Sequence, residues 1–350
     1  MWTCRKLGLP APRCPCVRFP LDYDAMSRFR MPLSRRTVLA LPALAALPAV
    51  AQADYPTKTI RIIVPFAPGG SGDITSRLIA KYIEDKTGQP FVVENKPGAN
   101  GIVGALAAKA AAPDGYTLML ATTSTNAANV HMYKNPGYDP EKDFQVVGVI
   151  GSSGAFLVVP ADSPHKTLAD LLAYAKAHPA KLNFGFFNAS SQVPAEVLGQ
   201  HAGVQWQAVA YKAIGNAWND LYAGNIQFMF VDLTAGRGQV VAGKARPLAL
   251  TLPQRSPLYP DLPTLAESFP GFTTTGFLAI AVPKATPRPV QERLNALINE
   301  AIASPDIQNR LVNEFALTAR PLSLEQCAAQ DREERAKWAE YVKVAKIEPQ

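Results

Sequence analysis

Cysteine is nearly absent from most of this 350-residue chain: Cys4, Cys14 and Cys16 lie near the start, and Cys327 stands alone in the remainder. A single thiol there excludes an intrachain disulfide and a cysteine-based metal site. Histidine is also scarce. His131, His165, His178 and His201 show no two-histidine metal spacing, and His165 and His178 flank a helical pattern in settings that read as solvent-facing. The serines of Gly70-Ser71-Gly72 and Gly151-Ser152-Ser153-Gly154 lack the alternating glycines of a nucleophile elbow. These absences argue against an enzyme, a resident cofactor and a bound metal.

An excess of charge is missing as well, once the chain is divided. The whole sequence has 35 Lys and Arg against 28 Asp and Glu, but residues 1–53 hold eight of the bases and two of the acids. The remainder carries 27 bases and 26 acids, too balanced to gather nucleic acid by a long-range field. The basic character belongs to the leader. There Ser34-Arg35-Arg36-Thr37 precedes an apolar run over Val38–Ala51, and Ala51-Gln52-Ala53 offers the small residues of a signal-peptidase site. Residues 31–53 therefore read as a signal peptide cleaved before Asp54. The run, broken by Pro42 and Pro48, is short for a bilayer core of ~30 Å. Its paired arginines are compatible with the twin-arginine route and with ordinary secretion. Residues 1–30, rich in Pro, Arg and Cys, precede a complete signal beginning at Met31 and read as an over-extended start or an unstructured extension.

From residue 54 the chain alternates β-branched runs with helical patterns. Thr59–Pro65, Phe91–Glu94, Thr117–Ala121, Phe144–Ile150 and Ala155–Val159 read as strands, with a helix through Ile74–Ile83 stopped by Gly88. A second group follows: helix Leu168–His178, strand Asn183–Phe186, helix Pro194–Ala202, strand Trp206–Val209, helix Ile214–Ala223, and strands Ile226–Val231 and Arg246–Leu250. Gly276–Val282 is one more strand, and Pro287–Ser304 and Ser323–Val344 are amphipathic helices. This rhythm predicts an α/β protein with parallel sheets covered on both faces. The length beyond the leader exceeds one compact core. Two lobes are expected, 54–156 plus 277–350 and 157–276, joined by two crossings in a hinged clamshell, with the terminal helix on the first lobe.

The most informative stretch is Val64-Pro65-Phe66-Ala67-Pro68-Gly69-Gly70-Ser71-Gly72-Asp73. A strand ends, glycines allow a tight turn, and a helix begins whose free amides favour an anion. Ser71 or Gly72 would cap that helix and Asp73 would complement its dipole. A plain strand-to-helix turn accounts equally well for the same residues. It is not a P-loop, since no Gly-Lys-Ser/Thr follows, and it lacks the third glycine of the dinucleotide fingerprint. Gly98-Ala99-Asn100-Gly101 is a second turn of this type, with a more structural reading.

With these segments in view, the chain from Tyr55 to about Ile347 resembles the Bug-type receptors of the tripartite tricarboxylate transporters. The resemblance rests on Ile62-Ile63-Val64-Pro65-Phe66-Ala67-Pro68-Gly69-Gly70 with Asp73, on Val93-Glu94-Asn95-Lys96-Pro97-Gly98-Ala99 and on Pro113-Asp114-Gly115-Tyr116-Thr117-Leu118. Tyr138-Asp139-Pro140 with Asp143-Phe144, Pro260-Asp261-Leu262-Pro263-Thr264, Lys337-Trp338 and Lys346-Ile347 follow in order. The resemblance implies a two-lobed periplasmic-binding-protein fold of type II-like topology, closing on a small organic carboxylate held mainly by backbone amides. It further implies an exported, monomeric receptor whose partner is a membrane permease.

Family loops that line the cleft map onto Phe66–Asp73, onto Thr122, Thr123, Ser124 and Asn126, onto Asn188, Ala189, Ser190, Ser191 and Gln192, and onto Tyr211 with Lys212. The second lobe departs from the pattern. Phe186-Phe187 stand where the family has small residues, Gln192 is nearest the usual His, and Ala213 replaces a glycine. Phe186 or Phe187 is thus expected either to stack on an aromatic or bulky apolar acid or to be a core residue at a strand end, alternation sending only one inward. Asp232, at a strand's carboxyl end, suits an ammonium group or a hydrogen-bonded turn. Trp206 and Trp218 read as packing residues. The rival readings are a sensor that reports ligand state to a membrane partner and, more remotely, a hydrolase of a small carboxylate.

Overall fold

The computed structural model describes residues 55–350; the leader, its cleavage site and the start at Met31 lie outside the described residues. Two sheets of five strands each organise the chain. The first contains β1 (Ile60–Val64), β2 (Phe91–Asn95), β3 (Thr117–Thr122), β4 (Phe144–Ser153) and β10 (Gly276–Pro283) in the order β2-β1-β3-β10-β4. The second contains β5 (Ala155–Pro160), β6 (Asn183–Phe186), β7 (Gln207–Ala210), β8 (Phe228–Asp232) and β9 (Ala245–Leu250) in the order β7-β6-β8-β5-β9.

The sheets are mixed, not parallel throughout. β1, β2 and β3 run parallel, as do β6, β7 and β8, but β10 is antiparallel to β3 and β4, and β5 is antiparallel to β8 and β9. Each antiparallel strand is the one that has just arrived from the other sheet. A strand coming in from outside is not bound by the right-handed crossover that makes successive βα units parallel. The first passage falls at Gly154, between β4 and β5, so Ala155 and Phe156 belong to the second sheet, two residues short of the expected boundary. The passages are tied together. The Thr251 amide donates to the Ala155 carbonyl at 3.0 Å and the Ala155 amide to Thr251 Oγ1 at 2.8 Å, while the Thr251 hydroxyl donates to the Thr274 carbonyl at 2.6 Å. A Cβ on Gly154 would lie 2.8 Å from Leu252, so this passage has no room for a side chain.

The helices used below are α1 (Ser71–Thr87), α2 (Ile102–Lys109), α3 (Leu168–Ala177), α4 (Ala189–Ala202), α5 (Ile214–Tyr222), α6 (Leu233–Val241), α7 (Arg288–Ala303) and α8 (Leu324–Val344). Helix α6 was not expected, because Gly236 and Gly238 interrupt its pattern; Asp232 caps it, accepting from the Ala235 amide at 2.9 Å. Helix α4 starts at Ala189 instead of Pro194, set by a capping box between Asn188 and Ser191. Helix α8 packs on β4 and also meets α4 of the other lobe. His165, expected at the surface, is 8% exposed, its ring 5.0 Å from that of Tyr174, and burial lowers its pKa; His178 stacks on the same tyrosine. Trp206 packs edge-on to Phe228, and Trp218 is buried beside Tyr222.

Candidate functional site

The carboxyl ends of β1, β3, β6 and β8 and the Gly154 passage surround a partly open cavity of about 100 Å³. One water needs roughly 10–15 Å³ of such space, so a ligand of on the order of ten heavy atoms fits.

On one wall β1 runs through Pro65–Gly70 into α1. Asp73, buried in the first turn, accepts from the Gly69 amide at 3.1 Å, from Asn95 Nδ2 at 3.1 Å and from Arg77 Nε at 3.1 Å. Asn95 Nδ2 also donates to the Phe66 carbonyl at 3.0 Å, so one side chain fixes both ends of the loop. Burial alone would raise the pKa of Asp73, but the hydrogen bonds from Arg77, Gly69 and Asn95 outweigh it and hold the carboxyl below its ordinary range. With Gly69 occupied, the amides of Ser71, Gly72 and Asp73 have no acceptor among the described residues, and all three residues line the cavity. These are the orphan donors of a helix start, at the positive end of a 17-residue helix.

A second wall is the turn after β3. Thr123–Ala128 forms a single wide helical turn, capped by Thr122, which accepts from the Thr125 amide. Such turns carry no hydrophobic periodicity and cluster at functional sites. Thr123 Oγ1 accepts from the Phe277 amide at 3.0 Å and Ser124 Oγ from the Ala189 amide at 3.2 Å, so each hydroxyl keeps its own proton to donate. Asn126 is buried and donates to Asp331, away from the cavity.

The second lobe contributes Phe187, Asn188, Ser190, Lys212 and Asp232. Lys212 is exposed and makes no ion pair among the described residues. Asp232 is the cap of α6; burial raises its pKa, opposed by the Ala235 amide and the Ser71 hydroxyl from the other lobe. Of the two readings of Asp232 the structure shows the hydrogen-bonded turn, and the residue also lines the cavity. Ala189 has its amide taken by Asn100 Oδ1 at 3.0 Å as well as by Ser124, and Ser191 Oγ accepts from the Phe187 and Asn188 amides. Tyr211 donates to Asp220 at 2.7 Å; burial, then the Asp220 charge, pushes its pKa up to about 12. Pro68, Gly69, Asn126, Ala189, Ser191, Gln192 and Tyr211 are thus not in this cavity's lining, whereas the other expected residues are. Alternation did not separate the phenylalanines. Both are half-buried, and Phe186 lines a neighbouring cavity shared with Phe187, Gln192 and Tyr211.

Several lining residues carried no sequence signal of a site. Ser153, Gly154, Ala155, Thr274, Thr275 and Gly276 sit at the passages between lobes, and Trp338 of α8 closes one side, donating from Nε1 to the Thr275 carbonyl at 3.0 Å. Only the topology brings the passages to the cavity.

Two α/β sheets meeting over a cavity beside both passages define the class of two-lobed solute-binding receptors. The chain belongs to the tripartite tricarboxylate transporter family receptors, whose family model matches residues 75–345. That span begins just after the Phe66–Asp73 loop. BugT of Bordetella pertussis is 33% identical over 267 residues, 75% of this chain and 82% of that protein. The structure of Rpa4515 from R. palustris with adipate superposes with a TM-score of 0.81 at 31% identity, covering 85% of this chain and all of that one. MatC from Rhodopseudomonas palustris with bound malate gives 0.77 at 29% identity, covering 82% of this chain and all of that one. The family is one of transporter receptors.

Proposed function

We propose that this chain is an extracytoplasmic receptor that encloses a small organic carboxylate in the cavity and delivers it to the membrane permease of a tripartite transporter. The observation that carries this reading is the set of acceptor-free amides at Ser71, Gly72 and Asp73, residues that line the cavity at the start of a long helix with its dipole behind them. The ligand's carboxylate accepts from these amides and from the hydroxyls of Thr123 and Ser124, each of which still has a proton to give. Lys212 balances the charge from the opposite lobe. Because donors come from both lobes, the ligand bridges them, and the closed form is favoured by the difference in its contacts with the two forms.

Adipate and malate in related structures support a short diacid as the ligand class. The signal-like leader supports a periplasmic location, with removal near Ala53.

The test is titration of the mature protein with adipate and malate, read by calorimetry and thermal shift; ligand at 100 times its Kd adds about 2.7 kcal/mol. Gly70→Val is the informative variant. A Cβ there meets nothing closer than the Ala67 carbonyl oxygen at 3.9 Å, so the fold tolerates it while the added methyl groups crowd the amides. Binding should fall at least about tenfold with the unliganded melting temperature unchanged. Unaltered affinity in Gly70→Val would remove this helix start from the site.

A further inference from the structure

A second and larger cavity, about 370 Å³, lies against the first. Phe66, Phe187, Asn188 and Lys212 line both and so form the wall between them. The outer chamber is walled by aromatic groups: Tyr133, Phe186 and Tyr211 line it alone, in addition to the shared Phe66 and Phe187. Three polar side chains that line it, those of Tyr133, Gln192 and Lys212, have no hydrogen-bond or ion-pair partner among the described residues. The Tyr211 hydroxyl, by contrast, is engaged by Asp220, so that ring offers its face and not its oxygen.

We propose that the outer chamber is a second compartment of the ligand site, which takes the ring of an aromatic carboxylic acid whose carboxylate lies in the inner cavity. This rests on the reading of the inner cavity given above and extends its ligand class from short diacids to aromatic acids. The inner cavity has donors for a carboxylate but room for little beyond a short chain, whereas the outer one is larger and has aromatic faces and free polar groups. Lys212, in the dividing wall, reaches an acid group at the junction, and its ammonium suits a carboxylate approached from either side. The rings of Phe187 and Phe66 are the only aromatic parts of that wall, so a change of side-chain rotamer at Phe187 joins the two spaces without moving the backbone. At the far end, Tyr133 and Gln192 supply a donor and an amide for a ring hydroxyl. Stacking on these aromatic faces is strong enough to rank ligands.

The experiment compares 3-(4-hydroxyphenyl)propionate with adipate on the mature protein and on Tyr133→Ala and Gln192→Ala, by calorimetry. Neither residue touches the inner cavity. Both variants should weaken the aromatic acid about tenfold and change adipate by less than about twofold. Equal losses for both ligands would mean a merely structural effect and overturn the proposal. So would adipate binding with no binding of the aromatic acid, which leaves the inner-cavity reading standing. Binding of neither acid removes that reading and the outer compartment with it.

Discussion

Single residues show how narrowly the loop before α1 is held. Asp73 ties Gly69, Asn95 and Arg77, and α2 presses Gly104 against the same loop: a Cβ on Gly104 would lie 2.7 Å from Pro65 Cα and 3.1 Å from the Lys96 carbonyl oxygen. Backbone cannot swing aside as a side-chain tip can. Gly104→Ala should therefore cost about 1–3 kcal/mol by overpacking and weaken carboxylate binding by displacing Pro65 and Phe66. Urea denaturation with ligand titration checks both, and a wild-type value in each would show that α2 does not set the loop. Asp73→Asn tests the same node through pH. Because its pKa is lowered in the fold, Asp73 contributes stability above the unfolded value near ~3.9 that is lost as pH falls through the lower folded value. The variant should be less stable than wild type at pH 7, with the gap closing in strong acid.

At the scale of elements, the loop Gly98–Gly101 acquires a role that its composition did not suggest. Ala99 and Asn100 both have positive φ, 45° and 53°, a region that asparagine tolerates better than most residues. Held this way, Asn100 receives the Ala189 amide from α4 on Oδ1, while its Nδ2 donates to Asn129 at 2.8 Å; Asn129 in turn donates to the Asn100 carbonyl and to Tyr138. One side chain thus connects the start of α4 in the second lobe to a buried network in the first. Asn100→Gly keeps the backbone free to adopt the same angles but removes the bridge, and should raise the ligand Kd about tenfold while lowering the melting temperature, because buried Asn129 loses its donor. If affinity is unaffected, the bridge plays no part in holding the lobes together.

How well the sequence could be read follows from where the information sits. Strands buried on both faces, such as Ile60–Val64 and Phe156–Val159, and helices with caps, such as α3 and α8, are encoded locally and were legible to within a few residues. The antiparallel insertion of β5 and β10 depends on strands brought from elsewhere, which no local pattern records. Helix α6 hid behind its glycines, and the wide turn at Thr123–Ala128 has no period at all. The site divides in the same way: the glycine turn was visible as a strand-to-helix junction, whereas Thr274, Thr275 and Trp338 reach the cavity only through the fold.

For the molecule as a whole, burial leaves several acids poised against ionisation. Glu334 is 4% exposed, its Oε2 has no hydrogen-bond partner among the described residues, and burial raises its pKa despite Lys337. Asp331 and Asp232 are raised by burial too, opposed in the first case by Arg335 and Asn126 and in the second by the Ala235 amide and Ser71. A raised folded pKa means that the native state binds more protons than the unfolded chain between the two values, so stability falls as pH rises through that window. Each of these acids therefore contributes a loss of stability as pH rises through its raised value, and Glu334→Gln should reduce that loss relative to wild type in melting temperatures measured across pH. A variant with the wild-type pH profile would contradict this assignment.

The place of β10 between β3 and β4 has a consequence for synthesis. The sheet begun at Ile60 has a gap in its middle until Pro283 has left the ribosome, and α8, which covers β4, comes later still. While the second lobe can form its five strands from one continuous stretch, the first must wait with two apolar edges unzipped. The growing polypeptide is therefore most vulnerable to misassociation in its earliest-made half, and anything that shields those edges until β10 and the helices after it arrive governs the yield of folded receptor.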